Sequence, residues 1–152
     1  MPDAAHMRAL GAHVAALLAP GDLVVLVGDL GAGKTTFVQG LGSGLGVEEA
    51  ITSPTFVIAR AHGAGRIPLV HVDAYRLGST VELDELDLDA DLATSITVVE
   101  WGEGKVEQLS EDRLVITITR SDHDDDEVRT VVFAGVGARW TDAALAELSP
   151  AW

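Results

Sequence analysis

Cysteine is missing from this chain of 152 residues. Its absence excludes disulfide bonds, zinc sites built on thiolates and cysteine nucleophiles, and it is compatible with a reducing compartment. Long apolar runs are missing as well, since no stretch approaches the roughly 18 residues that a membrane-spanning helix needs. The amino terminus carries Asp3 and has no basic stretch followed by an apolar block, which gives no sign of a secretory signal. We therefore expect a cytoplasmic protein that does not enter a membrane.

Basic residues are scarce. Ten Lys and Arg residues stand against twenty-four Asp and Glu, which gives a formal net charge of −14 at pH 7. Such a surface repels phosphate backbones, so the isolated chain is expected to bind neither DNA nor tRNA tightly. The acidic runs at 82–91 and 122–127 are most simply solvated faces, and the alternative is that they dock on a basic protein partner.

The pattern of apolar residues, which make up 47% of the chain, predicts one α/β domain over residues 1–152. Helices are predicted over 3–18 and 141–148, with Asp3 and Thr141 as N-caps, and from Lys34 to about Leu45. Strands are predicted at 23–27, 56–59, 69–72, 96–99, 114–119 and 128–133, with hairpin turns at 62–65 and 121–127. Unbroken apolar runs favour a three-layer fold around a mostly parallel sheet, with antiparallel strands added.

One glycine-rich segment carries a phosphate-binding motif. Residues 28–35 read GDLGAGKT and match G-x-x-x-x-G-K-[ST] at every position. The glycines let successive N–H groups point at phosphate oxygens, Lys34 adds a charge beside the β- and γ-phosphates, and the Thr35 hydroxyl is placed to bind Mg²⁺. A strand before the motif and a helix after it make a chance glycine turn a weak alternative. The sequence therefore predicts a P-loop NTPase fold whose nucleotide contacts include Gly31, Ala32, Gly33, Lys34, Thr35 and Thr36.

Two acids follow apolar runs that read as strands. Asp73 follows the strand at 69–72, and Glu100 follows the strand at 96–99. Parallel strands would bring both carboxylates to the ligand-binding edge of the sheet. One is expected to hold Mg²⁺ directly or through water, and the other to orient or deprotonate an attacking water. The alternative for each is a simple cap at the end of a strand.

Other residues near these motifs support weaker predictions. His71 shares a strand face with Asp73, and we interpret it as a packed, hydrogen-bonded histidine rather than a metal ligand. Trp101 is either a packing residue or a neighbour of the site. The segment 53–55, Ser-Pro-Thr, is either a switch that senses a γ-phosphate or an ordinary junction between loop and strand.

Four motifs in this order resemble the TsaE (YjeE) family of small bacterial P-loop ATPases, and the likeness extends to about Glu103. They are GDLGAGKTT at 28–36, TSPT at 52–55, HVDAYRL at 71–77 and VEW at 99–101. Members of this family are required for making threonylcarbamoyladenosine in tRNA. The resemblance implies TsaD and TsaB as partners and an ATP hydrolysis step that resets their complex, with tRNA reached only through them.

The resemblance also implies residue roles. The nucleotide would be ATP, Thr35 and Glu100 would bind Mg²⁺, and Asp73 would play the Walker-B-like part. Trp101 would lie near the nucleotide, as would the start of the first helix around Asp3, and the segment 53–55 would be the switch-like loop. The late hairpin departs from the family, because its tip carries three aspartates at 124–126 where a basic or glycine-rich tip is more usual. For this reason, no nucleotide contact is carried over from the family to that hairpin.

Two other functional classes remain open at this point, and so does a non-hydrolysing, nucleotide-gated scaffold, which overlaps with the ATPase interpretation. A GTP-driven switch is disfavoured, because the chain has no asparagine and so lacks the Asn-Lys-x-Asp segment that reads guanine. A small-molecule kinase needs a basic lid over the transferred phosphate, and only Arg60, Arg66 and Arg76 lie between the two lysines. No motif contains an evident arginine finger, although Arg76 is a candidate in cis. ATP hydrolysis is therefore expected to be slow until a partner completes the site.

Overall fold

The computed structural model describes residues 3–29, 31–47, 59–62, 67–73, 94–100, 112–120 and 128–149. The elements in chain order are α1 (Ala4–Ala15), β1 (Leu23–Val27), α2 (Lys34–Gly44), β2 (Ala59–His62), β3 (Leu69–Asp73), β4 (Ile96–Glu100), β5 (Arg113–Arg120), β6 (Arg129–Val136) and α3 (Asp142–Glu147). Within those ranges, no helix has the length and apolar character that crossing a membrane requires.

The described strands form one six-stranded sheet in the order β2-β3-β4-β1-β5-β6. The four inner strands run parallel, whereas β2 and β6 pair antiparallel at the two edges. Strands β1 and β4 are buried along nearly their whole length, as expected of parallel strands that are covered on both faces. The structure confirms the predicted α/β fold, including the antiparallel additions.

The first hairpin differs from its prediction. The sequence placed a strand at 56–59 and a turn at 62–65, whereas β2 extends through His62, which pairs with Leu69. Pairing at a sheet edge needs only backbone donors and acceptors, so a strand can continue past its last apolar residue. Residues 56–58 and 63–66 lie outside the described part of the chain.

The predicted helices are confirmed, with one shorter than expected. Helix α1 ends at Ala15 and not near Leu18, because the N–H groups of Leu17 and Leu18 bond three residues back, to Val14 and Ala15. These tighter turns end the α-helical ladder ahead of Pro20. Both predicted N-caps form: Asp3 accepts from the His6 N–H at 2.9 Å and Thr141 from the Ala144 N–H at 3.2 Å.

Helices α1 and α2 cross with their backbones nearly in contact. A side chain at Gly40 would clash with the backbone of Arg8, and a Cβ at Gly11 would lie 2.7 Å from the backbone nitrogen of Leu41. Glycine is required here by the close approach. Leu10 of α1 and Phe37 of α2 are fully buried in the same hydrophobic core. This crossing holds the start of α1 beside the loop that leads into α2.

Candidate functional site

The loop between β1 and α2 has the conformation that its glycines predict. Gly31 and Gly33 have φ values of +79° and +112°, in the left-handed region that L side chains rarely adopt. Gly33 is also the N-cap of α2 and has no side chain with which to cap it. The first N–H groups of α2 therefore meet the loop, where the positive end of the helix favours an anion.

A cavity of about 180 Å³ opens beside this loop. The described residues that line it come from α1, the loop, α2 and β6, namely Asp3, Ala4, Met7, Gly31, Ala32, Gly33, Thr36 and Arg129. A Cβ at Gly31 would meet no atom within 4 Å, so this glycine faces open space. The cavity thus brings predicted phosphate contacts together with Asp3, which the family resemblance had placed near a nucleotide.

Lys34 is turned into the loop. Its side chain is buried, with 5% of the residue exposed, and the ammonium donates to the carbonyl oxygens of Gly28 at 2.6 Å and Asp29 at 2.9 Å. A buried ammonium needs such acceptors, since burial without hydrogen bonds is costly. These bonds brace the loop from within, and they place the Lys34 charge directly at its start.

Arg129 supplies the cavity with a positive charge that the sequence analysis missed. This residue begins β6, and its Nε donates to the carbonyl oxygen of Ala32 at 3.1 Å. The family resemblance supplied no nucleotide contact from this hairpin, whose tip at 121–127 lies outside the described residues. The alternation of residues along the strand could have indicated this. Arg129 lies on the same half-buried face of β6 as Val131 and Phe133.

The two acids predicted at the sheet edge are brought side by side. Strands β3 and β4 pair with Asp73 opposite Glu100, which confirms that both lie at the carboxyl ends of parallel strands. The side chain of Asp73 is not described. Glu100 is buried, and its Oε2 lies 2.5 Å from Nε2 of His71. The interpretation of His71 as a packed, hydrogen-bonded histidine is confirmed. Trp101 and the segment 53–55 fall outside the described ranges.

Comparison with known proteins identifies the family. The family model for "Threonylcarbamoyl adenosine biosynthesis protein TsaE" matches residues 1–131. A protein of Streptomyces coelicolor named tRNA threonylcarbamoyladenosine biosynthesis protein TsaE is 59% identical over 94% of this chain and 99% of its own length. The protein of the same name from Bacillus subtilis is 40% identical over 88% of this chain and 82% of its own length. The crystal structure of Bacillus subtilis YdiB superposes with a TM-score of 0.78 at 36% identity, covering 97% of this chain and 90% of that one. The chain therefore belongs to the TsaE family.

Proposed function

We propose that this chain is the Mg²⁺-dependent, ATP-binding and ATP-hydrolysing component of the bacterial machinery that makes threonylcarbamoyladenosine in tRNA. One observation carries the nucleotide half of the proposal: a GxxxxGKT loop with left-handed Gly31 and Gly33 opens onto a cavity at the N-terminus of α2. The pathway half is supported by the names of relatives that match nearly the whole chain.

The residues around the cavity suit a polyphosphate. Three kinds of hydrogen-bond donor lie around the loop: the backbone N–H groups at the start of α2, the ammonium of Lys34, and the guanidinium of Arg129, which lines the cavity. We expect the Lys34 ammonium to exchange its bonds to the Gly28 and Asp29 carbonyls for phosphate oxygens when a nucleotide binds, because charge-assisted bonds to phosphate are stronger than bonds to neutral carbonyls. Ala32 and Thr36 line the same cavity.

The available oxygen ligands also suit Mg²⁺. Thr35 offers a hydroxyl, and Glu100 and Asp73 offer carboxylates at adjacent strand ends. Among the described residues, no group of three or more His, Cys, Asp or Glu is gathered for a metal ion. Mg²⁺ is usually held by one or two carboxylates together with phosphate oxygens and water, and so needs no such cage. When bound, the metal would neutralise charge on the transferred phosphoryl group, while a carboxylate that does not bind it would orient the attacking water.

The charge of the chain bears on its partners. With a net charge of −14, the isolated protein is poorly suited to binding tRNA tightly. We therefore propose that it acts in the cytoplasm through TsaB and TsaD and resets their complex between turnovers. Its acidic runs at 82–91 and 122–127 would dock on a basic protein surface. Hydrolysis by the isolated chain is proposed to be slow, and the partner complex would complete the site.

The test is ATP hydrolysis measured with and without the TsaB–TsaD complex, for the wild type and for Glu100→Ala. We expect release of inorganic phosphate that rises with the complex and is lost in the variant. Equal turnover with and without the complex would contradict partner completion. A phosphorylated small-molecule acceptor in place of free phosphate would favour the kinase alternative. Competition by GTP as strong as by ATP would favour a GTP-driven switch.

A further inference from the structure

A buried histidine is bonded to the carboxylate proposed to hold the metal. His71 Nε2 and Glu100 Oε2 are 2.5 Å apart, and their side chains are 0% and 4% exposed. In the parallel ladder His71 pairs with Val98 while Glu100 pairs with Asp73. The two side chains are therefore diagonal neighbours on one face of the sheet, within reach of each other because histidine is long. Water cannot readily replace this contact.

The chemistry of the pair gives the two groups distinct parts. A carboxylate oxygen accepts, so His71 donates through a proton on Nε2. The other ring nitrogen, Nδ1, is buried and has no hydrogen-bond partner among the described residues. Among the described residues, the imidazole therefore forms its side-chain hydrogen bond with Glu100. The bond engages Oε2, which leaves Oε1 as the carboxylate oxygen available to a further ligand.

Stability alone is a weak reason for such a pair. Replacing a buried polar pair by apolar residues of similar volume is often neutral or stabilising, because desolvation offsets the attraction. The strands on both sides are already held by a buried aliphatic core that includes Leu69, Val72 and Val98. The bond between His71 and Glu100 instead fixes the orientation of one carboxylate at the ligand-binding edge of the sheet.

We propose that His71 is a positioning residue that holds Glu100 by Oε2 and so presents Oε1 to Mg²⁺. This inference rests on the proposed function of the site. Outer-shell partners of metal ligands typically contribute 10- to 100-fold in metal affinity or activity. Among the described residues, His71 bonds to Glu100 and not to the phosphate loop, residues 28–35, which leads from β1 into α2. We therefore expect nucleotide binding without metal to be independent of His71.

The experiment measures ADP affinity by isothermal titration calorimetry, once with saturating Mg²⁺ and once with EDTA. The variants are His71→Ala, His71→Gln and His71→Asn, with Val98→Ala as a control that loosens the same strand pair and keeps both bonded groups. We expect the affinities in EDTA to agree within about twofold. The tightening caused by Mg²⁺ should fall about 10- to 100-fold in His71→Ala and stay unchanged in Val98→Ala.

The glutamine and asparagine variants separate positioning from packing. The amide nitrogen of Gln corresponds in reach to Nε2, whereas that of Asn stops near the position of Nδ1. Gln should therefore restore part of the Mg²⁺ effect and Asn should not, a comparison that holds even where His71→Ala does not fold. Full Mg²⁺ tightening in the Ala or Asn variant, or an equal loss in Val98→Ala, would overturn the inference alone. A wild type that gains no affinity from Mg²⁺ would overturn the proposed metal site as well.

Discussion

The guanidinium of Arg129 donates from Nε to the carbonyl oxygen of Ala32 at 3.1 Å and joins residues that are 97 positions apart in the chain. The bond ties the first residue of an edge strand to the middle of the phosphate loop. It also fixes the plane of the guanidinium against the cavity that both residues line. An edge strand thereby becomes one wall of the candidate nucleotide site.

Replacing Arg129 by Ala should weaken ATP binding by about tenfold or more, because hydrogen bonds to charged groups contribute about 1.5–3 kcal/mol. Arg129→Lys should recover less than half of that free energy, since lysine keeps the charge and loses the planar fork. The matched control is Arg120→Ala, because Arg120 pairs with Arg129 in the adjacent strand, is exposed and is not among the residues that line the cavity. Titration calorimetry measures all three, and equal affinities for Arg120→Ala and Arg129→Ala would reduce the effect to net charge.

Features that depend on residues close together in the chain were predictable from the sequence. The phosphate loop, its flanking strand and helix, and the caps at Asp3 and Thr141 are each specified by residues within a few positions of one another. The adjacency of Asp73 and Glu100 was predictable as well, because parallel strands bring their carboxyl ends to one edge.

What the sequence could not supply is the geometry between distant segments. Arg129 reaches the loop because β6 pairs with β5 in a particular register, and a shift of one residue would turn it to the other face. Likewise, His71 was expected to pack, but its bond to Glu100 depends on the stagger between β3 and β4. Such contacts follow from tertiary register, which no local pattern encodes.

Gly40→Ala should destabilise the fold strongly. A Cβ at this position would lie 2.6 Å from the Cα of Arg8, and backbone cannot rotate away as a side chain can. Overpacking of this kind typically costs about 1–3 kcal/mol of unfolding free energy, and we expect the upper end. Urea denaturation measures the loss. Ser43→Ala on the exposed side of α2 is the control and should change stability little, so similar losses in both variants would contradict the close crossing of α1 and α2.

Low pH should destabilise the N-terminus of α1, because it protonates the carboxylate of its N-cap, Asp3. The backbone N–H of His6, with help from its side chain, lowers the pKa of the Asp3 carboxyl from its ordinary value. A lowered pKa in the folded state means that the charged cap stabilises the fold above the unfolded pKa, about 3.9, and that this contribution is lost as the pH falls through the folded value. The free energy of unfolding should therefore differ less between pH 7 and pH 3 in Asp3→Asn than in the wild type. Thermal unfolding at both pH values tests this, and an identical difference in wild type and variant would contradict it.

Lys34→Ala should lower ATP affinity by at least tenfold. The ammonium lies at the start of the loop and is already desolvated, with hydrogen bonds of 2.6 and 2.9 Å to the carbonyl oxygens of Gly28 and Asp29, so little further burial is needed when phosphate replaces them. One charge-assisted bond is worth about 1.5–3 kcal/mol, or roughly one to two orders of magnitude in affinity. Lys105→Ala removes the same charge at the other lysine of the sequence and is the control. Titration calorimetry with a non-hydrolysable ATP analogue measures both. Equal affinity of Lys34→Ala and Lys105→Ala for the analogue would show that Lys34 does not bind the polyphosphate. The proposed ATP binding would then lose its main electrostatic support.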